Sequence, residues 1–480
     1  MASLLLIHPA SEDRTLPVSP PLGMAWIASY CRSVGIDTCL VDLHVSDQDI
    51  EDLLEAHGPL VVGIGGTTQT RFESFRLARE VKRWDPGALV LYGGPHATFT
   101  AEDTLTGVPA IDVVVRGEGE VTAAEIVDRL SEGQRDLTGV AGASFRRDGE
   151  IVHNPDRPRL GDLDMLPMPE RVPELARAYD MPMEFLDLRG TAVITSRGCP
   201  VNCSFCSASA LFGTGIHMRD PRSVVDEVET LLKEHGYEAI KFFDSTFTMV
   251  PHHARAICEE IIRRGLDFPW ECEIRVGSVS RDLLSLMRKS GCYYVSFGVE
   301  SASPRVLKRM HKKIRIQDAS ALLSWTREIG LRTKVFFTFG HIEETYDDAL
   351  LTVRFMEQHR KLIDHVAIAL GIMIYPGTEV ERHARAIGCL PSDFNWSLEW
   401  EDPRAESLGV DSRIPILIQP GMGWRELHRT GRRLLLFWAK SPAAAWKAAR
   451  REISLGNAGR FLSVPGRAIS MMLTRYSRGA

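Results

Sequence analysis

Three of the nine cysteines stand close together, in Ser196-Arg197-Gly198-Cys199-Pro200-Val201-Asn202-Cys203-Ser204-Phe205-Cys206. A loop with this spacing can turn Cys199, Cys203 and Cys206 onto one soft-metal site, and thiolates are the natural ligands of iron–sulfur clusters and of zinc. A closed zinc site needs a fourth ligand, and the nearest spare candidate is His217. Three ligands on a four-iron cube instead leave one iron open. An open iron can bind a small chelating molecule and pass it an electron. The other six cysteines (Cys31, Cys39, Cys258, Cys272, Cys292 and Cys389) are scattered and read as buried apolar packing. An odd number in a large chain is no disulfide framework.

A strand precedes this loop, and it belongs to a longer pattern. Apolar runs at 191–195, 239–243, 270–275, 293–297, 332–337 and 365–370 alternate with helical stretches at 221–235, 252–264, 280–290 and 316–329. Six strand–helix units in this length predict a complete or partial β/α barrel, whose active site lies at the strand carboxyl ends. An open sheet is the competing arrangement.

The first 135 residues show a second alternation. Short, near-continuous apolar runs at 4–7, 38–41, 60–64, 88–92 and 111–115 predict strands buried on both faces, with helices near 22–34, 47–57, 71–84 and 120–131. The fold class is therefore α/β, beginning with a doubly wound parallel sheet. Its strand ends are rich in small residues: Gly63-Ile64-Gly65-Gly66-Thr67-Thr68, Gly93-Gly94-Pro95-His96 and Arg116-Gly117-Glu118-Gly119-Glu120. Glycines let a ligand approach the backbone, so three such turns in one sheet predict a bound nucleotide-like ligand. Between the two halves, 136–185 reads as a connector with a hairpin-like piece at 142–152 and a run of prolines. The expected domains are 1–135, the connector 136–185, the barrel 186–395 and a helical basic region 396–480.

Composition agrees with an ordinary globular chain. It has 480 residues, 44% hydrophobic and 25% charged, with a net charge of −6. Disorder as the main state is excluded, and a mildly acidic whole argues against a nucleic-acid binder. The start has no cationic region before its short apolar run, and no stretch reaches the ~18 apolar residues of a membrane span, so a cytoplasmic protein is expected. Segment 425–478 is basic (Arg425, Arg429, Arg432, Arg433, Lys440, Lys447 and others), with interleaved apolar residues. It reads first as helices with a solvated face, and otherwise as a surface for peripheral membrane contact or an anionic substrate.

The cysteine spacing, with an aromatic residue before the third cysteine, resembles the signature of the radical S-adenosylmethionine (SAM) enzymes. The resemblance implies a [4Fe-4S] cluster on Cys199, Cys203 and Cys206. SAM would chelate the open iron and be cleaved reductively to a 5′-deoxyadenosyl radical. It also implies SAM contacts at Asp244 in Phe242-Phe243-Asp244-Ser245-Thr246-Phe247-Thr248, at Arg275, which ends the third strand with Glu273, and at Glu300 in Phe297-Gly298-Val299-Glu300-Ser301. Tyr375-Pro376-Gly377-Thr378 follows strand six as in many relatives. One turn departs: Gly340-His341-Ile342-Glu343-Glu344-Thr345 has Ile342-Glu343 where relatives often carry Pro-Gly, and it is assigned no ligand.

The first half resembles the cobalamin-binding domain of one large radical SAM subgroup. The residues are Pro20-Pro21-Leu22-Gly23 and the three glycine turns, so the resemblance implies cobalamin contacts at Gly65, Gly66, Thr67, Gly93, Gly94 and Glu118. The Asp-x-His-x-x-Gly motif of other cobalamin proteins is absent, since Asp42-Leu43-His44 follows strand two and has Asp47 in the glycine position; His44 reads as a surface or capping residue. Together the resemblances cover about residues 1–390 and imply a cobalamin-dependent methyltransferase acting on an unactivated carbon of a small molecule, served by a flavodoxin or ferredoxin-type electron donor. A cobalamin-independent dehydratase, epimerase or cyclase is the alternative, and a non-catalytic metal- or nucleic-acid-binding protein a more distant one. A methylthiotransferase would need three further N-terminal cysteines, and only Cys31 and Cys39 precede the connector.

Overall fold

In the computed structural model the described residues are 3–10, 19–171, 179 and 181–439. The chain divides after Met181 into two compact units, and Asp393–Glu399 belongs to the first.

The first unit is built on five parallel strands, β1 (Leu4–His8), β2 (Thr38–Asp42), β3 (Val61–Gly65), β4 (Leu89–Gly93) and β5 (Val113–Val115), in the order β2-β1-β3-β4-β5. Their near-continuous apolar runs are buried because helices cover both faces. Met24 and Ala28 from Leu22–Ser33, with Ala124 and Val127 from Glu120–Ser131, pack on one side. Leu53 and Leu54 from Ile50–His57, with Phe75 and Ala78 from Arg71–Trp84, pack on the other. The doubly wound reading therefore holds.

The connector holds the expected hairpin, and that hairpin joins the first sheet. Part of it is sheet: β6 (Ala143–Arg147) and β7 (Glu150–His153) form a hairpin that extends the sheet antiparallel from β5. Asp148 and Gly149, both at positive φ, make the two-residue turn that suits the strand twist. The Arg146 guanidinium donates to the carbonyls of Ile111 (2.6 Å) and Val108 (3.1 Å), which locks the hairpin to the loops beside β5. By contrast, 393–399 was expected at the junction of barrel and tail, yet Trp396 N donates to Asp103 Oδ2 at 2.8 Å within the first unit.

In the second unit, β9 (Arg189–Val193), β12 (Ala239–Phe242), β13 (Trp270–Glu273), β14 (Cys292–Glu300), β15 (Arg332–Phe339) and β16 (His365–Leu370) run parallel and side by side in chain order. The short strand β8 (Met181–Pro182) sits at one edge, and among the described residues no pairing joins β16 back to β9. The barrel is thus a partial one. Alternation sorts the faces. Ile240, Phe242, Cys272, Val295, Phe297, Val335, Phe337 and Val366 enter one apolar core under the helices. Lys241, Glu271, Glu273, Ser296, Lys334 and His365 occupy the in-register positions of the opposite face. A charged inner face needs a reason, because unpaired charge away from water is costly.

Among the described residues no helix is long and apolar enough to cross a membrane. The described part of the basic tail is the helix Trp424–Ala439, which buries Leu427 and Leu434 and exposes Arg425, Arg429, Arg432 and Arg433. The basic residues from Lys440 onward lie outside the described residues.

Candidate active site

The cysteine loop leaves the carboxyl end of β9 and is closed at its base by a small hairpin. There β10 (Ser196–Arg197) pairs antiparallel with β11 (His217–Met218), so His217 stands in the hairpin opposite Arg197. Gly198 has φ +105°, and a Cβ there would lie 2.0 Å from the Gly215 carbonyl oxygen, so only glycine fits the crossing. Within the loop, Cys206 N donates to the Cys203 carbonyl (3.1 Å) and Cys203 N to that of Val201 (3.0 Å). From outside, Ser204 N donates to the Met310 carbonyl and accepts at its own carbonyl from Val380 N, both at 3.1 Å.

These bonds hold three half-buried thiols on one loop. Burial pushes the Cys203 thiol up to about 11, with Lys312 opposing and Cys206 and Cys199 adding to the rise. Burial also raises Cys206. Among the described residues no group of three or more His, Cys, Asp or Glu side chains is gathered tightly enough for a single metal ion. What the loop does offer is soft donors with Lys312 and Arg275 near enough to act on their charge. That donor set, with cations beside it, fits an anionic thiolate-held cluster.

Asp244, just past β12, is the main anchor of the loop's first residues. Its Oδ1 accepts from Thr195 N (3.1 Å), Thr195 Oγ1 (3.0 Å), Ser196 N (2.6 Å) and Ser196 Oγ (2.7 Å). Its Oδ2 is buried and has no hydrogen-bond partner. Burial pushes the carboxyl up to about 6 against those four bonds. One oxygen positions the loop, and the second is free for a donor such as an amino group.

Glu300 and Arg275 meet at a segment that sequence reasoning passed over. A bulge at the end of β14 puts Glu300 at φ +65°. Its carboxylate takes the Lys312 ammonium at 2.9 Å and the Thr338 hydroxyl at 3.2 Å. Arg275 donates to the carbonyls of Lys312 and Lys313, the latter at 2.9 Å. Burial works to lower the Lys312 ammonium, yet Glu300 and Cys203 hold it above its ordinary value. Lys312 therefore joins the thiol loop to Glu300, and it also lies 5.8 Å from the Phe205 ring centroid.

The turn left without a ligand also reaches the site. Glu343 has φ +62°, a conformation that favours glycine. His341 is buried edge-on to Phe205, with centroids 5.3 Å apart. Its Nε2 is 2.5 Å from Thr338 Oγ1, and Thr338 already donates to Glu300, so Nε2 carries the proton. Its Nδ1 is buried without a partner, and burial pushes the ring down to about 3, so it stays neutral.

In the first unit the glycine turns stand at the carboxyl ends of β3, β4 and β5, and Gly65, Gly66, Gly93 and Gly94 are half-buried. The glycines answer partly to the chain's own packing. A Cβ at Gly66 would meet Tyr92 at 2.6 Å, and one at Gly94 (φ +104°) would meet the Gly66 carbonyl oxygen at 2.6 Å. Thr67, exposed, accepts and donates within its own turn to Thr70. Glu118 accepts from Leu160 N at 2.8 Å, tying down the segment after the hairpin. Below the turns, Tyr92 Oη and His96 Nε2 are buried without hydrogen-bond partners, while His96 Nδ1 contacts Thr68 Oγ1 at 3.1 Å. Accessible backbone above and orphaned polar atoms below fit a large ligand laid across the strand ends, as cobalamin would be. His44 is half-buried, and its backbone N donates to Asp42 Oδ1 at 2.9 Å, so Asp42 rather than His44 caps the turn.

Comparison with known proteins identifies the domains that carry these two sites. Residues 193–356 match the radical SAM superfamily, and residues 15–127 match the B12 binding domain. The chain is 36% identical over 406 residues to an uncharacterized methyltransferase of Pyrococcus horikoshii, covering 82% of this chain and 85% of that one. It is 30% identical over 354 residues to the anaerobic magnesium-protoporphyrin IX monomethyl ester cyclase of Rubrivivax gelatinosus, covering 71% of this chain and 63% of the cyclase. The fold matches the radical SAM methyltransferase TsrM of Kitasatospora setae, solved with tryptophan and a SAM analogue, with a TM-score of 0.72 at 20% identity over 90% of this chain and 89% of that one. The chain belongs to the radical SAM superfamily, in a branch that carries a B12 binding domain, and its cofactors are a [4Fe-4S] cluster, SAM and cobalamin.

Proposed function

We propose that the enzyme is a cobalamin-dependent radical SAM methyltransferase that methylates an unactivated carbon of a small molecule. One observation carries this: a three-thiol loop and a B12 binding domain occur in one chain that aligns along 406 residues with a methyltransferase. When bound, the cluster and SAM supply one-electron cleavage of the sulfonium, and cobalamin supplies a methyl carrier. The chain's own residues hold and aim these groups.

Cys199, Cys203 and Cys206 are the cluster ligands. Asp244 fixes the loop through Oδ1 and offers Oδ2 to the SAM amino group. Glu300 receives the SAM ribose, with Lys312 and Thr338 fixing its carboxylate. Arg275 holds the 312–313 turn against the loop. Gly65, Gly66, Thr67, Gly93, Gly94 and Glu118 line the cobalamin site. The enzyme works in the cytoplasm and takes electrons from a flavodoxin or ferredoxin-type donor.

Similarity to the Rubrivivax cyclase favours a second reading, radical ring formation without methyl transfer. Reconstituted protein given SAM, cobalamin and a strong reductant separates the two. A methyltransferase forms S-adenosylhomocysteine as well as 5′-deoxyadenosine. Formation of 5′-deoxyadenosine alone, with cobalamin present, supports the cyclase-like reading.

A further inference from the structure

The helix Trp424–Ala439 packs Leu427 and Leu434 into the core of the second unit, and its other side carries Arg425, Arg429, Arg432 and Arg433, all exposed. At ~100° per residue these four fall within one stripe about 100° wide, opposite the buried leucines. Arg429 stands four residues from Arg425 and from Arg433 and three from Arg432, spacings at which like charges repel. Arg425 also lies in the first turn, at the positive end of the helix dipole. Elsewhere the fold pairs its helical arginines: Arg76 has Glu73 and Glu80, and Arg264 has Asp226 and Glu260. On this helix, among the described residues, none of the four meets a carboxylate. Its acidic residue, Glu426, accepts from Gly423 N at 3.2 Å, and Arg429 lies over the Tyr346 ring, 4.1 Å from the centroid.

The stripe opens a separation of charge along the chain. Segment 425–480 holds twelve Lys or Arg against two Asp or Glu, a net +10 within a chain total of −6, so residues 1–424 carry −16. Solvation alone requires neither the repulsion nor the separation. The stripe lacks an anion, and two features select its form. A stripe along one helix is a ridge and not a groove that tracks a nucleic-acid strand, and the −16 of the remaining chain repels a polyanion that extends past the helix. In the sequence the cations alternate with Leu436, Phe437, Trp438 and Trp446, residue types that favour the boundary between lipid headgroups and acyl chains.

We propose that the arginine face of Trp424–Ala439 docks on the surface of an anionic phospholipid bilayer, with lipid phosphates as the partners of Arg425, Arg429, Arg432 and Arg433. Arginine suits this contact because its planar fork takes phosphate oxygens in pairs. The contact is peripheral, since the apolar side of the helix is already buried in the protein core. It does not depend on the methyltransferase reading.

The test is co-sedimentation of the reconstituted full chain with vesicles of phosphatidylcholine alone, or of phosphatidylcholine with about one third phosphatidylglycerol. The protein should pellet with the anionic vesicles only, and raising the salt from ~0.1 M to ~1 M should release it. The triple variant Arg425→Gln, Arg432→Gln, Arg433→Gln should bind the anionic vesicles roughly a hundredfold more weakly, since each cation near the surface contributes about fivefold. Arg429 is left in place because it packs on Tyr346. The variant should melt no lower than the native chain, because like charges have been removed, and should form 5′-deoxyadenosine at the native rate without vesicles. No binding to anionic vesicles, equal binding to neutral ones, or equal binding by the variant overturns the proposal; the last assigns the attraction to residues beyond the helix. A variant that melts lower also overturns it, by marking the arginines as structural. So does a native protein that leaves anionic vesicles for a short single-stranded oligonucleotide in competition, which assigns the face to nucleic acid.

Discussion

Asp244 carries the most structural responsibility per atom in the site, and its removal has a calculable effect. Asp244→Ala strands four donors at once. Thr195 is fully buried, so its N–H and hydroxyl lose their acceptor without access to water. Ser196 is half-buried and can turn toward solvent. Two buried donors left unsatisfied cost ~1–3 kcal/mol each, so ~2–6 kcal/mol is expected in the stability of the loop base. At ~1.4 kcal/mol per decade, local opening rises by roughly 10–10⁴-fold. Asp244→Asn behaves differently. It keeps an acceptor oxygen and removes the cost of ionising a carboxyl pushed up to about 6, so the two effects largely cancel, leaving less than about 1 kcal/mol. Hydrogen exchange across residues 195–206, read alongside iron content after reconstitution, checks both variants. The alanine protein should lose protection and most of its iron, and the asparagine protein should keep both. If the alanine variant exchanges like the native chain, or if asparagine does equal damage, Oδ1 is not what holds the loop.

Two glycines allow the cofactor sites to be perturbed separately. Gly198→Ala drives a Cβ against the Gly215 carbonyl and should reduce bound iron, while Gly94→Ala drives one against the Gly66 carbonyl and should reduce bound cobalamin. Each should cost about 2–4 kcal/mol locally, and metal analysis of the two proteins should show opposite losses. Glu344 accepts from Gly340 N (2.7 Å) and His341 N (2.9 Å) on Oε2, while its buried Oε1 has no partner, and burial pushes the carboxyl up to about 7. A raised carboxyl contributes stability that is fully present below its ordinary value of 4.5 and is lost as pH rises through about 7. Glu344→Gln should therefore melt higher than the native protein at pH ~8 and close to it at pH ~5, and a difference of opposite sign would contradict the burial argument.

The strands were readable because a short apolar run bounded by small residues seldom folds as anything but a buried strand; the expected 365–370 is β16 to the residue, and 239–243 overruns β12 by one. The thiol loop was readable because its three cysteines, Cys199, Cys203 and Cys206, stand close together in the chain. Lys312 and His341 were not. Lys312 reaches Cys203 from a turn more than a hundred residues later in the chain, at a place where His311 and Lys313 take positive φ, and nothing in Met310-His311-Lys312-Lys313 marks one lysine as buried. His341 lies in a turn set aside because it departs from the common pattern, yet packing on Phe205 brings it to the site. The hairpin at 142–152 could be seen as a hairpin, but its docking on β5 depends on Arg146 finding carbonyls in the loops beside that strand, which pattern alone does not show. The glycines of the first sheet were attributed to ligand approach, whereas Gly66 and Gly94 are needed first by Tyr92 and by each other.

Anaerobic reconstitution followed by paramagnetic resonance of the reduced protein, with and without SAM, bears most directly on the cysteine loop. About four iron and four sulfide per chain should be found, with a signal that changes when SAM is added, because one iron has no protein ligand. A stoichiometric zinc ion on the same cysteines, or a cluster whose signal ignores SAM, would contradict it.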